Sequence, residues 1–307
     1  MSILNRCRFA TFVAVACALL MAGIAARPQE QQPRQLAHFH HLHLNSTDPE
    51  AAIKFYTTHF DCERAKFDGT MDAVRAQNSW ILFNKVDQPP PSEIVSALYH
   101  FGWGAEDMKA AYQKQVDMGT TFRAPITDIN ETTGWGRPGA FYYAYVEGPD
   151  HAMIELNTAN HHHFGHIHML SADPIAAGEW YMKEFGMARR GQGALSREPY
   201  FFKGRQLGPS ISLMMDDINF IIFPIGFART VMPKEWTGRK TFESPKGRVM
   251  DHFAFSVENL EETLVRLKKD GVKVTDGLHR IVGGKRKNAF IEGPDNVQIE
   301  LVADQTL

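Results

Sequence analysis

The 307-residue sequence predicts an α+β fold assembled from four repeats of one strand–helix–strands unit. Three observations lead there. NSTDPEAAIKFYTTHFDC (45–62) matches LSADPIAAGEWYMKEFGM (170–187), with Asp48 and Asp173 lying 125 positions apart. VEGPDHAMIELNTA (146–159) matches IEGPDNVQIELVAD (291–304) at an offset of 145. YHFGWGAEDMKAAYQKQVDMGTTF (99–122) runs in step with DHFAFSVENLEETLVRLKKDGVKV (251–274). Internal repeats are read first because they fix the architecture in which any single motif sits.

Residues 1–26 read as a secretory signal. Arg6 and Arg8 precede the apolar run Phe9 to Ile24, small residues close it at Ala22, Gly23, Ala25 and Ala26, and polar sequence follows. The run is shorter than the ~20 residues of a membrane span, so cleavage after Ala25 or Ala26 is expected, with no stable membrane insertion afterwards. The mature chain is then periplasmic or secreted. Cys7 and Cys17 leave with the signal, and Cys62 remains as a lone thiol, expected to be a small buried residue after a helix.

The first unit, 37–95, opens on the histidine-rich HFHHLHL and continues into a helix. Asp48 as N-cap with Pro49 at the first helical position is the start signal, and Ile53, Phe55, Tyr56 and Phe60 follow at helical spacing. Thr47 and Glu50 also have capping-box spacing. VDQPPPSE (86–93) is a linker. The second unit, 98–158, is a strand, a helix and a Gly-ended turn, closed by Gly148-Pro149-Asp150 and an alternating strand centred on Glu155. The third, 163–225, repeats the first, with Asp173-Pro174 and then Ala177, Trp180, Tyr181 and Phe185. Extra sequence at about 205–249 contains RTVMPKEWTGRKTFESPKGR, whose Pro, Gly and charge suggest a loop or lid rather than core. The fourth unit, 250–304, has a helix at 259–270 with Leu260, Leu264 and Leu267 on one face and Lys268 and Lys269 near its C-terminus. It closes on Gly293-Pro294-Asp295 and Glu300. With 33 basic and 35 acidic residues, the chain lacks the Lys/Arg excess that marks a nucleic-acid partner.

The repeated His–strand–Asp–helix–Phe/Tyr openings and Gly-Pro-Asp–strand–Glu endings resemble the vicinal oxygen chelate superfamily. That superfamily includes glyoxalase I, the extradiol dioxygenases and the bleomycin- and fosfomycin-resistance proteins. The resemblance covers about 37–304. It implies βαβββ modules that pair into cup-shaped mixed sheets around a metal, in a first domain at 37–158 and a second at 163–304. The other pairing, unit one with four and two with three, stays open. By residue position it implies metal ligands at His41 and His166, each seven before its capping Asp, at His100 and His252, which open the first strands of units two and four, and at Glu155 and Glu300, five after Asp150 and Asp295.

The chemistry of those residue types agrees. Two imidazoles and a carboxylate with open positions suit non-haem Fe(II), and alternatively Mn, Zn or Ni. Such an ion acts as a Lewis acid or as a platform for dioxygen. His43 and His168 share a strand face with the proposed ligands and are candidate acid/base groups. Tyr145 stands where extradiol dioxygenases carry a tyrosine before the turn, whereas unit four has Phe290. The histidine those enzymes carry earlier is missing, with Arg137 and Gly283 near its places. A glyoxalase-type fourth ligand would fall near Phe83 and Phe223, which cannot coordinate. Gly102 and Gly104 leave space beside the metal. Trp103 and Trp135 are either pocket walls or turn anchors. His38, His40 and the triplet 161–163 read as linker or strand-edge residues.

The expected function is an exported, metal-dependent enzyme acting on a small molecule with vicinal oxygens, with dioxygenase-like chemistry first. A lyase or isomerase of glyoxalase type and a non-catalytic binding protein for a small molecule such as an antibiotic are the alternatives. A homodimer is left open.

Overall fold

The computed structural model describes residues 36–192, 194–280 and 286–304. The segment read as a signal, and Gly283, lie outside them. Unit one contains β1 (His38–Ser46), α1 (Pro49–His59), β2 (Glu63–Phe67), β3 (Met71–Ala76) and β4 (Ser79–Lys85). Unit two contains β5 (Leu98–Ala105), α2 (Met108–Asp117), β6 (Phe122–Asp128), the short α3 (Ile129–Thr133), β7 (Tyr142–Glu147) and β8 (Met153–Thr158). Unit three contains β9 (Phe164–Ser171), α4 (Pro174–Phe185), β10 (Ala188–Arg189), the hairpin β11 (Tyr200–Phe202) and β12 (Arg205–Gly208), then β13 (Ile211–Met215) and β14 (Ile218–Pro224). After α5 (Ile225–Val231) and α6 (Pro233–Trp236), unit four contains β15 (Met250–Val257), α7 (Leu260–Lys269), β16 (Val274–Arg280), β17 (Lys287–Glu292) and β18 (Gln298–Ala303). No helix among the described residues is long and apolar enough to cross a membrane.

Two eight-stranded mixed sheets result, in the orders β16-β17-β18-β15-β1-β4-β3-β2 and β10-β13-β14-β9-β5-β8-β7-β6. The first joins unit one to unit four through the antiparallel pair β1–β15, and the second joins unit two to unit three through β5–β9. The division into 37–158 and 163–304 therefore marks the repeat in the sequence, while each sheet takes one unit from each half.

Helix starts follow the local chemistry. Asp48 accepts the Ala51 amide at 3.1 Å, and Asp173 accepts those of Ile175 and Ala176. The Thr47/Glu50 capping box does not form. The Thr47 amide and hydroxyl both turn to Asp150, at 3.1 and 2.6 Å, and Glu50 pairs with Arg64 instead. Asp150 itself sits at a left-handed φ of 52°, a conformation Asp tolerates, and also accepts from Ser46 Oγ at 2.6 Å. Asp295, at φ 58°, accepts the Ala172 amide at 3.1 Å. Each Gly-Pro-Asp turn thus pins the helix entry of a unit in the other sheet.

The helix-covered faces of both sheets meet in one core. Phe39 of β1 lies 5.8 Å from Phe164 of β9, and Phe220 of β14 lies 5.3 Å from Phe253 of β15. Burying such a side chain contributes about 1.5–3 kcal/mol. Trp103 belongs here, stacked on Phe60 at 4.5 Å, so it is not a pocket wall. Leu260, Leu264 and Leu267 are buried as their spacing required. Cys62 donates to the Tyr56 carbonyl, and burial pushes its thiol up to about 12, a packed rather than a reactive sulfur.

The expected lid is not one. Residues 205–224 form β12 to β14, and the stretch after them buries Ala228, Trp236 and Phe242. The Trp236 indole donates to Ile94 O at 2.9 Å, the Glu243 amide to Val95 O at 3.0 Å, and Arg248 to Glu93 O at 3.1 Å. The Trp236 indole, the Glu243 amide and the Arg248 side chain tie it to residues 93–95 at the end of the linker, which composition alone does not distinguish from a mobile loop.

Candidate metal centres

Each sheet gathers one imidazole–carboxylate cluster on the face away from the helices. On the second sheet, His100 of β5, Glu155 of β8 and His166 of β9 bring one donor atom each to within 4.8 Å of one another. Register explains it. In the antiparallel pair His100 stands opposite His168 and Gly102 opposite His166, and in the parallel pair Gly102 stands beside Glu155. The Nε2 atoms of His100 and His166 lie 3.0 and 3.8 Å from the Glu155 oxygens, yet neither has a hydrogen-bond partner of acceptable geometry. Buried polar atoms rarely go unpaired. Here the two Nε2 atoms stand with a Glu155 oxygen in a group of three donors close enough together to hold one metal ion.

On the first sheet the cluster is His41 and His43 of β1, His252 of β15 and Glu300 of β18. Glu300 Oε2 lies 3.1 Å from both His41 Nε2 and His252 Nε2. All six sequence-assigned ligands therefore fall into two sets, and the sets follow the one-with-four, two-with-three pairing: His41, His252, Glu300 and His100, Glu155, His166.

Electrostatics favour neutral imidazole at several of these positions. Burial lowers His41 to about 4, His43 to about 3, His166 to about 4, and His168 well below its ordinary value. A nitrogen must be deprotonated to coordinate, so burial suits the task. His252 goes the other way. Against burial, which lowers it, Asp251 at 2.6 Å and Glu300 hold it up to about 9. Burial opposes charge on both glutamates, but the facing histidines hold Glu155 below the usual carboxylate range and Glu300 well below it.

The remaining candidates divide. His43 and His168 do face the clusters, with ring centres 4.6 Å from His252 and 4.7 Å from His100. Tyr145 stands opposite Glu155, its ring 5.1 Å from His100, and burial raises its phenol well above the usual value. Phe290 fills the same position opposite Glu300, 5.0 Å from His252. Gly102 does leave space, but the His166 ring takes it: a Cβ there would lie 2.2 Å from His166 Cε1. The space at Gly104 is taken by His161. Trp135 stacks on Tyr200 at 6.1 Å and meets Phe223 edge-on at 5.6 Å, at the rim of the second sheet.

The fourth-ligand positions need correction. The parallel pairing sets Glu155 beside Gly102 and Glu300 beside Ala254, each two residues after its histidine. Two residues after His41 and His166 stand His43 and His168, which pair with Leu82 and Ile221. Those residues, not Phe83 and Phe223, occupy the equivalent places, and neither can coordinate. Phe83 pairs with Leu44 and faces the core beside Tyr56.

His40 was misplaced as an edge residue. It is buried, its Nδ1 lies 2.7 Å from His41 Nδ1, and its Nε2 lies 3.3 Å from Asp304. The pairing of β1 with β15 shifts register between Phe39 and His41, an irregularity that strict alternation does not foresee. Asp251, Asn157 and Asn288 were missed as well. Asn157 donates to Glu155 at 3.0 Å and Asn288 donates to Glu300. No sequence signal marked them apart from Asp251 adjoining His252. His161 and His163 are more than linker. Their rings stack at 3.9 Å, and both line a cavity of about 940 Å³ that reaches His166, with Asn157, Met214, Asp217 and Asn219 around it.

The model of the Glyoxalase/Bleomycin resistance protein/Dioxygenase superfamily matches this chain twice, over residues 38–156 and 163–301. Among curated proteins, the lactoylglutathione lyase of Salmonella typhimurium is 38% identical over 56 residues, which span 18% of this chain and 42% of that protein. The one from Escherichia coli O157:H7 is 34% identical over 59 residues, 19% of this chain and 44% of its own length. Among solved structures, glyoxalase I from Zea mays superposes with a TM-score of 0.61 at 14% identity, covering 87% of this chain and 92% of that one. A Bacillus subtilis protein provisionally named a dioxygenase gives 0.57 at 11% identity, covering 89% and 86%. At those identities the structural likeness speaks for the fold.

Proposed function

The chain belongs to the Glyoxalase/Bleomycin resistance protein/Dioxygenase superfamily, and from that premise we propose that it is an exported metal-dependent enzyme acting on a small molecule with adjacent oxygens, with dioxygen chemistry at Fe(II) as the first reading. One observation carries this: two buried sets of two histidines and one glutamate, each with its donor atoms within 4.8 Å of one another, in which His41, His100 and His166 Nε2 are unpaired among the described residues. His100, Glu155 and His166 would hold one ion, and His41, His252 and Glu300 another. A bound ion supplies Lewis acidity and, if iron, a place for dioxygen. The rest is work for the chain's own side chains. Asn157 orients the Glu155 carboxylate. Tyr145 keeps its proton and donates a hydrogen bond to the Tyr99 hydroxyl, which holds the phenol beside His100. His168 is held neutral by burial, and its unpaired Nε2 can hydrogen-bond a substrate. The cavity beside His166 has room for a small organic molecule.

A lyase of the lactoylglutathione type is the second reading, favoured by the names of the curated relatives. Leu82 and Ile221 at the fourth-ligand positions speak against it. Export rests on the layout of residues 6–26.

The test is reconstitution of the full chain under argon with Fe(II), Mn(II), Zn(II) or Ni(II), followed by assays against catechols and against the methylglyoxal–glutathione hemithioacetal. Catechol-dependent dioxygen uptake with iron alone, lost in His100→Ala, supports the first reading. Hemithioacetal isomerisation with zinc or nickel would replace it with the second.

A further inference from the structure

We propose that the two donor sets hold metal differently. The set on the first sheet is a four-donor site, His41, His43, His252 and Glu300, that keeps its ion. The set on the second sheet is a three-donor site whose open positions take the substrate. This rests on the reading that both sets hold metal.

The sets are related by the repeat, so their differences are informative. His43 and His168 occupy equivalent positions. Each has a buried ring nitrogen without a partner among the described residues, but only His43 joins its neighbours within 4.8 Å. The surroundings give the reason. His168 is wedged between Phe223, 4.4 Å away, and Tyr99, 5.3 Å away. On the first sheet the place of Phe223 is taken by Asn84, which donates to Asn45 at 2.9 Å, and that of Tyr99 by Asp251. Both replace an aromatic ring with a small polar side chain.

The outer partners differ in the same sense. On the first sheet, a His41 that coordinates through Nε2 carries its proton on Nδ1, which donates to His40 Nδ1 at 2.7 Å. The His40 Nε2–H then points to Asp304 at 3.3 Å. His252 Nδ1 lies 2.6 Å from Asp251, which also accepts from Asn45 at 3.0 Å. On the second sheet, among the described residues, His100 Nδ1 has no partner and His166 Nδ1 has only Asn157 at 3.4 Å. Carboxylates behind ligating imidazoles fix the tautomer and strengthen the ligand, typically by about 10–100-fold in metal affinity.

Cover differs too. Over His41, 6.3 Å away, lies Phe67, the centre of a small apolar plug with Ala73, Leu82, Met71 and Trp80. Arg286 stacks over Phe67 and pairs with Asp68 and Asp304. His166 instead lines an open cavity. Four protein ligands under cover are the mark of a structural ion, and three with an open position the mark of a catalytic one.

The test loads the full chain with zinc, removes excess, and follows release to a chromophoric chelator. Two equivalents released in two phases at least about tenfold apart are expected. His100→Ala should lack the fast phase and His252→Ala the slow one. His43→Ala, and His43→Gln should the alanine variant fold poorly, should keep two zinc ions and speed the slow phase about tenfold or more. His168→Ala should leave both phases in place. A slow phase unmoved in both His43 variants, or two ions released alike, would overturn this assignment and leave the metal reading standing. A wild-type chain that binds no zinc would overturn both.

Discussion

Replacing Gly102 with alanine should remove one metal site and leave the other. The new Cβ would lie 2.2 Å from His166 Cε1, 2.7 Å from His166 Nε2 and 2.4 Å from the Glu155 carbonyl oxygen. The carbonyl belongs to the β5–β8 ladder and has little freedom, so the imidazole must swing away from its position opposite Gly102. Overpacking of this kind costs about 1–3 kcal/mol of stability. Displacing a ligand outright should cost at least the roughly 100-fold in affinity that the loss of a supporting partner can cost. Zinc titration against a competing chelator should show one equivalent bound tightly where the wild type binds two, with a melting temperature lowered by several degrees. Gly277→Ala is the control, because its Cβ would meet nothing within 4 Å. Two zinc ions held with wild-type affinity in Gly102→Ala would refute the reasoning, since they would mean that the His166 ring does not depend on this gap.

Trp103→Ala should cost about 3–5 kcal/mol in denaturant unfolding without changing metal stoichiometry, because the ring stacks on Phe60 and Tyr56 in the core. Asp251→Asn should weaken zinc binding to the first-sheet set by about 10–100-fold and leave the second unchanged, read by competition titration. Asp150 is the pH-dependent case. Although burial opposes its charge, its bonds from Ser46 and Thr47 hold it below its ordinary value. A depressed carboxyl contributes stability above its unfolded pKa and loses it as pH falls through its folded one. Asp150→Asn should therefore be less stable by about 0.5–1 kcal/mol at neutral pH, because solvent reaches the carboxylate and weakens its bonds. The difference should fade below about pH 4, and a difference that persists in acid melts would contradict the assignment.

Much of this architecture was legible because the repeat is written in residues with local jobs. Asp48 and Asp173 start helices, and Asp150 and Asp295 adopt a backbone conformation that few residues tolerate. Offsets from these residues placed four of the six proposed ligands, and His100 and His252 followed as the openings of the first strands of units two and four. What was not legible depends on partners distant in sequence. Nothing in β1 says whether it joins β5 or β15, so which histidine meets which glutamate had to come from the sheets. The parallel register of β4 on β1 decides between Leu82 and Phe83, and both are apolar residues of one strand. His40 enters through a register shift that alternation cannot foresee. Thr47 had the spacing of a capping box, but Asp150, 103 residues away, offered it a better acceptor.

On the proposed reading, each sheet carries its own independent metal centre. Elemental analysis of the metal-replete wild type, His100→Ala, His252→Ala and the double variant tests it most directly. Two transition-metal ions per chain are expected in the wild type, then one, one and none. A wild type that holds no metal, or a single variant that keeps or loses both ions, would contradict it.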